Sequence, residues 1–384
     1  MSSTKKKKKF PWKSIVMIAV FLGGSFGVGW LIGSLSKPVF QDVPLDKFLL
    51  GLFGLYVCFL LSSFLQIVIH EAGHLVFGLL TGYQYSSFRI GSFMWVKLDG
   101  KIKLKRFSLS GTGGQCLMAP PDMKDGKMPY LLYNMGGCIA NLVVSVIPLV
   151  LVLMFRKPDY IFFLVVIWAA VGLFYTVING VPIKKLTNDG YNVLSLGKSP
   201  EALQAFWLQM KINEQEALGK RMRDLPEEWF QMPTEEGMKN SMVATNAVLV
   251  CSRLLDTGNY EEAARQIECL INEKNGMVVI HKQLLKAELV YCELVGENRP
   301  EKLEELYSEE LQKFLKTMKK SPSTYRVQYL YAKYVEKDEK KAATAMAGFE
   351  KVAKTYPYPH EIAGEREMLA YAEEKLEDEE VSEI

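Results

Sequence analysis

The sequence predicts a mainly α-helical, polytopic membrane protein with a soluble helical domain at its carboxyl end. Residues 10 to about 183 are dominated by long runs of Leu, Val, Ile, Phe and Gly, whereas from about residue 198 Glu, Lys and Arg are interleaved with Leu, Ala and Tyr. About twenty apolar residues suffice to cross the hydrocarbon core of a bilayer. The apolar part therefore predicts about four transmembrane helices, and a segment of alternating polarity within it predicts a small, membrane-associated β element.

The amino-terminal segment predicts a retained membrane anchor. Residues 1–13 are strongly basic, with consecutive lysines at Lys5–Lys9, and the apolar run 14–36 follows. This run exceeds the length of a signal-peptide core, and no small-x-small cleavage pattern follows it. We therefore expect a first transmembrane helix at 14–36, preceded by a basic cytoplasmic amino terminus.

Residues 48–195 predict the membrane core of the protein. Three further apolar runs predict transmembrane helices at 48–80, 131–155 and 160–183. The first of these runs is longer than a perpendicular crossing requires. Its helix is therefore predicted to be tilted, kinked or partly re-entrant.

The segment 81–130 between two of these helices predicts short strands. Its strand patterns are Tyr83–Ile90, Phe93–Leu98 and the strictly alternating Lys101–Lys105, with a turn signal at Asp99-Gly100. The alternation predicts a half-buried strand. Such an element can offer an edge strand to an extended peptide. The alternative is a folded connector with no role in substrate binding.

Residues 198–384 predict pairs of helices joined by turns. The arrangement Gly258-x-Tyr260-x-x-Ala263 resembles a tetratricopeptide repeat unit. We therefore expect an α-solenoid-like domain, a class whose surfaces bind peptides or proteins. A plain helical bundle that only adds stability is the alternative.

The pattern His70-Glu71-Ala72-Gly73-His74 lies at the end of the run 48–80. Histidines four positions apart lie on one face of a helix and can bind one metal ion. The glutamate between them lies beside that metal and can act as a general base toward its bound water. The alternative is a pair of buried histidines bonded to neighbours, with Glu71 facing a cavity.

A catalytic zinc site needs a third protein ligand besides two histidines. The other histidines, His281 and His360, belong to the soluble half. The third ligand is therefore expected to be a carboxylate near the membrane. Asp189, which follows the last apolar run, is the best placed, and Glu201 is the weaker alternative.

The distribution of positive charge predicts the orientation of the chain. A cytoplasmic amino terminus and four crossings place segment 81–130, and everything after residue 184, on the cytoplasmic side. The basic residues of 81–130 and the pair Lys184-Lys185 agree with this topology. We therefore expect a multi-pass protein of the cell membrane, with its metal site near the cytoplasmic face and its helical domain in the cytoplasm.

The cysteines predict neither disulfides nor a structural zinc site, because none of them forms a C-x-x-C pair. The six are Cys58, Cys116, Cys138, Cys251, Cys269 and Cys292. Cys58 and Cys138 lie inside apolar runs and are interpreted as small hydrophobic residues. The others are interpreted as free thiols in a reducing compartment.

Three motifs together carry a resemblance to a known family. They are His70-Glu71-Ala72-Gly73-His74, Gly137-Cys138-Ile139-Ala140-Asn141, and Asn179-x-x-Pro182 followed by Asp189-Gly190. Over roughly residues 48–195 the chain resembles the site-2 protease family of intramembrane zinc metalloproteases. It departs from that family's pattern in having Cys138 where a proline is usual, and in a longer spacing between Pro182 and Asp189.

The resemblance implies one zinc ion per chain, held by His70, His74 and Asp189. It implies Glu71 as the catalytic base and Asn141 as a residue that positions substrate or stabilises the oxyanion, a donor role that suits the chemistry. The helical domain stands in place of the periplasmic PDZ domain that is frequent in the family.

The function predicted from these features is hydrolysis of peptide bonds in membrane-embedded or membrane-associated peptides. The expected partners are the lipid bilayer, a membrane protein or peptide substrate and a cytoplasmic protein bound by the helical domain, but no nucleic acid. The alternative function is a membrane scaffold or peptide-binding protein of the same fold that has lost proteolytic activity. A transporter is disfavoured, because the four apolar runs show no repeat symmetry.

Overall fold

The structure, a computed structural model, describes Ser34 and residues 41–98, 100–107, 112–183 and 187–382. The predicted basic amino terminus 1–13 and, apart from Ser34, the predicted first transmembrane helix 14–36 lie outside these residues. So do Asp99 of the predicted turn and the pair Lys184-Lys185. The predictions that rest on these residues therefore stay predictions.

The described residues are mainly α-helical and contain one small sheet. The long helices are α1 Leu45–Leu80, α2 Leu131–Phe155 and α3 Tyr160–Gly180. The strands are β1 Gln84–Ile90, β2 Phe93–Leu98, β3 Lys101–Arg106 and β4 Gly114–Ala119. The remaining α-helices are α4 Asp189–Leu196, α5 Pro200–Ala217, α6 Ser241–Asp256, α7 Tyr260–Asn272, α8 Val279–Leu294, α9 Pro300–Leu306, α10 Glu309–Thr317, α11 Pro322–Leu330, α12 Glu339–Ala353 and α13 Pro359–Ser382.

Helices α1, α2 and α3 are long and apolar enough to cross a membrane. They correspond to the predicted runs 48–80, 131–155 and 160–183. Helix α3 ends at Gly180 and not at residue 183, because Pro182 disfavours helical conformation in the residue before it. Many of their large apolar side chains are exposed, such as Leu50, Phe53 and Leu153, as expected of surfaces that face lipid.

The described residues form two compact units. The described parts of 1–66 and 141–174 make up the first unit, and those of 67–140 and 175–384 make up the second. In the first unit, Val152 of α2 packs with Phe162 and Phe163 of α3 in a small apolar cluster.

A polar network also joins helices within the first unit. The Asn141 Nδ2 donates to the backbone carbonyl of Gln66 at 2.8 Å and to its Oε1 at 2.7 Å. The Gln66 Nε2 donates in turn to Ser145 Oγ and to the carbonyl of Trp168. Gly172 leaves room for this network, since a Cβ there would overlap Ser145 Oγ. Buried amides bonded to one another in this way hold apolar helices together.

The sheet of the second unit has the strand order β3-β2-β1-β4, with antiparallel neighbours. Strands β1, β2 and β3 confirm the three predicted strands. Strand β4 was not predicted, because Gly114 at its start and the prolines after its end looked like the limits of a loop. Strand β4 pairs with β1 from Gln84 opposite Ala119 to Ile90 opposite Gly114. The hydrogen bonds of this pairing stabilise a strand that the local sequence of β4 does not predict.

The two faces of the sheet differ in burial. On one face Met94, Val96 and Leu98 are buried and pack with Tyr358, which immediately precedes α13. The prediction that the strand of alternating lysines is half-buried was wrong for this structure. Ile102 and Leu104 of β3 are 63% and 57% exposed, because no described element covers their face of the sheet.

Helices α6 to α13 of the second unit share a large apolar core. Its fully buried members come from separate helices and include Cys251, Ile267, Val327 and Phe349. Helices α9 and α10 are separate because Ser308 interrupts the helical path between them and caps α10 through the backbone N–H of Leu311. The α-solenoid arrangement predicted for this domain stays a prediction.

Helices α1 and α2 approach each other backbone to backbone at Gly73 and Gly136. A Cβ on Gly73 would overlap the Gly136 carbonyl oxygen, and a Cβ on Gly136 would lie 2.6 Å from the Gly73 carbonyl oxygen. Two helices can pack this closely only where small residues face each other. The contact falls between His70 and His74, so it places both histidines against α2.

We predict that Gly136→Ala separates α1 from α2 and destabilises the protein. A methyl group forced against a backbone oxygen costs about 1–3 kcal/mol, more than the gain of up to about 1 kcal/mol from helix propensity. The thermal unfolding midpoint of the purified protein in detergent measures this effect. Gly180→Ala is the matched control, since its nearest contact would be an ordinary 3.5 Å from Cys138 Sγ. Equal midpoints for both variants would contradict the prediction.

Candidate metal centre

His70 and His74 lie on the same face of α1, one turn apart, and both are buried. Their rings meet edge to face with centroids 4.7 Å apart, and their Nε2 atoms are 3.1 Å apart. The His70 ring rests directly on the backbone of α2, since a Cβ on Gly137 would lie 2.5 Å from its Cε1 atom. Glycine at position 137 is therefore required for this placement of the imidazole.

The orientation of the His74 ring is fixed by a backbone carbonyl. Its Nδ1 lies 2.7 Å from the carbonyl oxygen of Tyr133, which can only accept a hydrogen bond. The Nδ1 atom therefore carries the proton, and in the neutral ring the Nε2 lone pair points toward His70. A hydrogen bond of this kind on the outer nitrogen is typical of histidines that bind metals.

Asp189 at the start of α4 completes a triangle of donor atoms with the two histidines. Its Oδ2 lies 3.1 Å from His70 Nε2 and 3.5 Å from His74 Nε2. Four ligands arranged tetrahedrally about a zinc ion at about 2.0–2.1 Å are separated by roughly 3.3–3.4 Å. The three measured separations of 3.1, 3.1 and 3.5 Å fit three corners of such a tetrahedron. The residues present therefore fit a tetrahedral metal ion.

Asn188 holds Asp189 in this position despite the long spacing from Pro182. The Asn188 Nδ2 donates to the backbone carbonyls of Ile178 and Val181, both at 2.6 Å. Its Oδ1 accepts from the backbone N–H of Tyr191 and caps α4. One side chain thus joins the end of α3 to the start of α4, which fixes the direction of the aspartate.

Gly190 allows α4 to begin directly against the end of α3. A Cβ at this position would overlap the carbonyl oxygen of Gly180. The pair Asp189-Gly190 is therefore a structural unit in which the glycine permits the approach and the aspartate contributes the donor atom.

The electrostatic surroundings keep Asp189 ionised. Burial opposes ionisation, but the interactions of the carboxylate with the imidazoles of His70 and His74 outweigh it and hold the pKa of Asp189 well below its usual range. A carboxylate that stays charged while buried is suited to bind a cation.

Glu71 lies beside this cluster and against the first residue of β4. A Cβ on Gly114 would lie 2.5 Å from Glu71 Cγ and 2.7 Å from its Oε1. The Glu71 carboxyl group also interacts electrostatically with His70, His74 and Asp189. The glutamate of the motif therefore lies within electrostatic range of the donor atoms.

Arg89 is a neighbour of Glu71 that the sequence did not reveal. Its side chain is 1% exposed, donates to the Gly114 carbonyl at 3.2 Å and to the Gly91 carbonyl at 2.9 Å, and interacts electrostatically with Glu71. From the sequence, Arg89 was interpreted only as one of the basic residues of segment 81–130 that indicate the orientation of the chain. Its position in β1 shows that it anchors the start of β4 beside the glutamate.

Cys138 is a second residue whose place in the site was missed. It was interpreted as a small hydrophobic residue in an apolar run, but its Sγ lies 3.9 Å from Asp189 Oδ2. His70, Cys138 and Asp189 bring donor atoms within 4.8 Å of one another and could hold a metal ion. The His74 Nε2 also lies close to this group, 3.5 Å from Asp189 Oδ2.

The remaining predicted site residues lie elsewhere. Both N–H groups of the Asn141 amide are directed at Gln66, so a role as oxyanion donor requires one of these hydrogen bonds to open, and that role stays a prediction. Glu201 is exposed in the first turn of α5, beside Gly237. His281 and His360 lie in α8 and α13.

Comparisons with protein-family models, with curated proteins and with solved structures find no match to this chain.

We predict that Asp189→Asn weakens metal binding and that Glu201→Gln does not. Loss of the charged donor should reduce Zn²⁺ affinity at least as much as loss of an outer hydrogen-bond partner, which costs roughly 10–100-fold. Titration of the metal-free protein with Zn²⁺ against a competing chelator measures both variants. Wild-type affinity in Asp189→Asn, or a loss confined to Glu201→Gln, would exclude Asp189 as the third ligand.

Proposed function

We propose that this protein is an intramembrane zinc metalloprotease of the site-2 protease type. The observation that carries the proposal is the triangle of donor atoms from His70, His74 and Asp189, with Glu71 beside it. Two imidazoles and one carboxylate are a donor set typical of catalytic zinc, which keeps its fourth position for water. We infer one zinc ion per chain.

Each residue of the site has its own role in the proposed peptide hydrolysis. A zinc ion supplies a Lewis acid that activates water and polarises the scissile carbonyl. Glu71 accepts the proton of the attacking water and passes it to the leaving amine. The Tyr133 carbonyl keeps the His74 lone pair directed inward, and the ionised Asp189 balances positive charge. Asn141 is proposed, from the resemblance, to assist the oxyanion.

The substrate is proposed to be a membrane-embedded or membrane-associated peptide. Support comes from the apolar length of α1, α2 and α3, because a site on α1 is reached most readily from the lipid phase. A helical substrate has to unwind before its carbonyl is accessible. Strand β3 at one end of the sheet order offers main-chain groups to an extended peptide.

The predicted topology is part of the proposal. Residues 14–36 would add a fourth span to α1, α2 and α3, and the cluster of lysines before them would stay in the cytoplasm. The metal centre would then lie near the cytoplasmic face, with the helical domain in the cytoplasm. A cytoplasmic protein partner bound by that domain is proposed on the repeat-like pattern of its sequence.

Cys138 favours a second candidate function, a membrane scaffold or peptide-binding protein without turnover. A thiol that joins the three other donors would fill the position that water needs, and a zinc site with four protein ligands is structural. The 3.9 Å between Cys138 Sγ and Asp189 Oδ2 supports this alternative, whereas the presence of Glu71 beside the cluster supports the protease.

We predict that Glu71→Gln retains zinc but reduces peptide cleavage by about 10²–10⁴-fold, because only the proton transfer is lost. Cleavage of a synthetic transmembrane peptide in liposomes and zinc content per chain are measured on the same preparations. Glu374→Gln, an exposed glutamate of α13, is the matched control. Membranes that contain the Glu71→Gln protein should also accumulate uncut membrane-bound fragments in a proteomic comparison with wild type.

One result would overturn the proposed mechanism and another the proposed protease function. Undiminished cleavage by Glu71→Gln would overturn the proposed mechanism. Bound zinc in the wild-type protein, with no cleavage in liposomes and no accumulated fragments in membranes, would establish the scaffold instead.

A further inference from the structure

A cavity of about 230 Å³ lies within the helical domain, away from the metal centre. Its walls come from α5, α6, α8, α11 and α13, and none of the metal-centre residues lines it. The walls are rich in charged side chains. An isolated ionised group is costly to bury, so each of these charges needs a partner.

Two arginines at the cavity are already paired with carboxylates. Arg326 donates to Glu288 at 2.7 Å and to Glu365 at 2.6 Å, and its guanidinium lies 4.2 Å from the centre of the Tyr291 ring. Arg221 pairs with Asp256. These contacts fix the two guanidinium groups of the wall in place.

Two further carboxylates have no cationic partner among the described residues. Glu216 on α5 forms no ion pair there, and Glu361 on α13 accepts a hydrogen bond from the Tyr356 hydroxyl at 2.8 Å. Burial raises the pKa of both carboxyl groups, and Glu361 raises that of Glu216 further. These two groups are therefore suited to receive a cation that enters the cavity.

A donor in the same wall also lacks a partner. The Arg326 side chain is 1% exposed, yet its Nη1 has no hydrogen-bond partner within the described part of the chain. The same is true of the buried His360 Nε2. A buried guanidinium N–H without an acceptor is unfavourable, so a ligand that brings an oxygen atom to Nη1 would be stabilised.

We propose that this cavity binds a protonated amino group that stands next to a carbonyl or carboxylate oxygen, which is the chemistry of a free amino acid or of a peptide amino terminus. Glu216 and Glu361 receive the ammonium group, and Arg326 Nη1 donates to the oxygen. The cavity is smaller than the roughly 300–1,000 Å³ of typical ligand sites, which suits a single residue and not a longer segment.

The test measures binding to the purified full-length protein in detergent by calorimetry. The probes are a mixture of L-amino acids, a mixture of tripeptides Xaa-Ala-Ala with free amino termini, and the same tripeptides after amino-terminal acetylation. We expect binding of at least one free-amine mixture and none of the acetylated tripeptides. Binding of amino acids identifies a free amino acid as the ligand, and binding of tripeptides alone identifies a peptide terminus.

The variant Glu216→Gln should weaken that binding at least about tenfold, because a charged hydrogen bond is lost. It replaces a half-buried carboxylate that has no cationic partner among the described residues, so the fold should persist, and its unfolding midpoint checks this. Glu214→Gln is the matched control on the same helix, since Glu214 pairs with Lys211 and does not line the cavity. Glu361→Gln provides a second variant from the other wall.

The proposal is overturned if neither free-amine mixture binds, if acetylated tripeptides bind equally well, or if Glu216→Gln binds like wild type. It is independent of the proposed protease activity. Binding is therefore expected to be unchanged in Glu71→Gln and after removal of metal with a chelator.

Discussion

The close approach of Gly73 to Gly136 is the constraint on which the candidate metal centre depends. Backbone contact between α1 and α2 at this point leaves no room for any side chain. It brings the His70 ring onto Gly137 and the His74 ring within hydrogen-bond distance of the Tyr133 carbonyl. A wider separation would leave both imidazoles without the surface that orients them. The glycine inside the histidine motif is therefore as much a part of the site as the histidines.

The third donor reaches the site by a different physical route. Asp189 does not belong to a long apolar helix, and its place is set by the hydrogen bonds of Asn188 and the close packing of Gly190. Polar groups buried near apolar helices are stable only when bonded. The amide of Asn188 meets four backbone groups from Ile178 to Tyr191, which compensates for a connection longer than the resemblance implied.

Much of the fold and part of the candidate site could be predicted from the sequence. The physical reasons for this also explain which features could not be predicted. Apolar length predicts α1, α2 and α3, and helical spacing places His70 and His74 on one face. Local patterns carry no information on which distant residues meet. Cys138 was interpreted as an apolar residue, Arg89 as a basic loop residue and β4 as part of a loop. Their places in the fold come from distant neighbours, which are Asp189 for Cys138, Gly114 for Arg89 and β1 for β4. The cavity at Arg326 likewise joins five helices that are far apart in the chain.

The contact between Gly114 and Glu71 links the sheet to the proposed general base. Because the glutamate side chain rests on the first residue of β4, and Arg89 ties that residue to β1, a displacement of the sheet carries the carboxyl group with it. In the proposed protease, a peptide that adds to the sheet would therefore move the proposed proton acceptor together with β4. Substrate binding and the position of that carboxyl group would then be coupled through a single backbone contact.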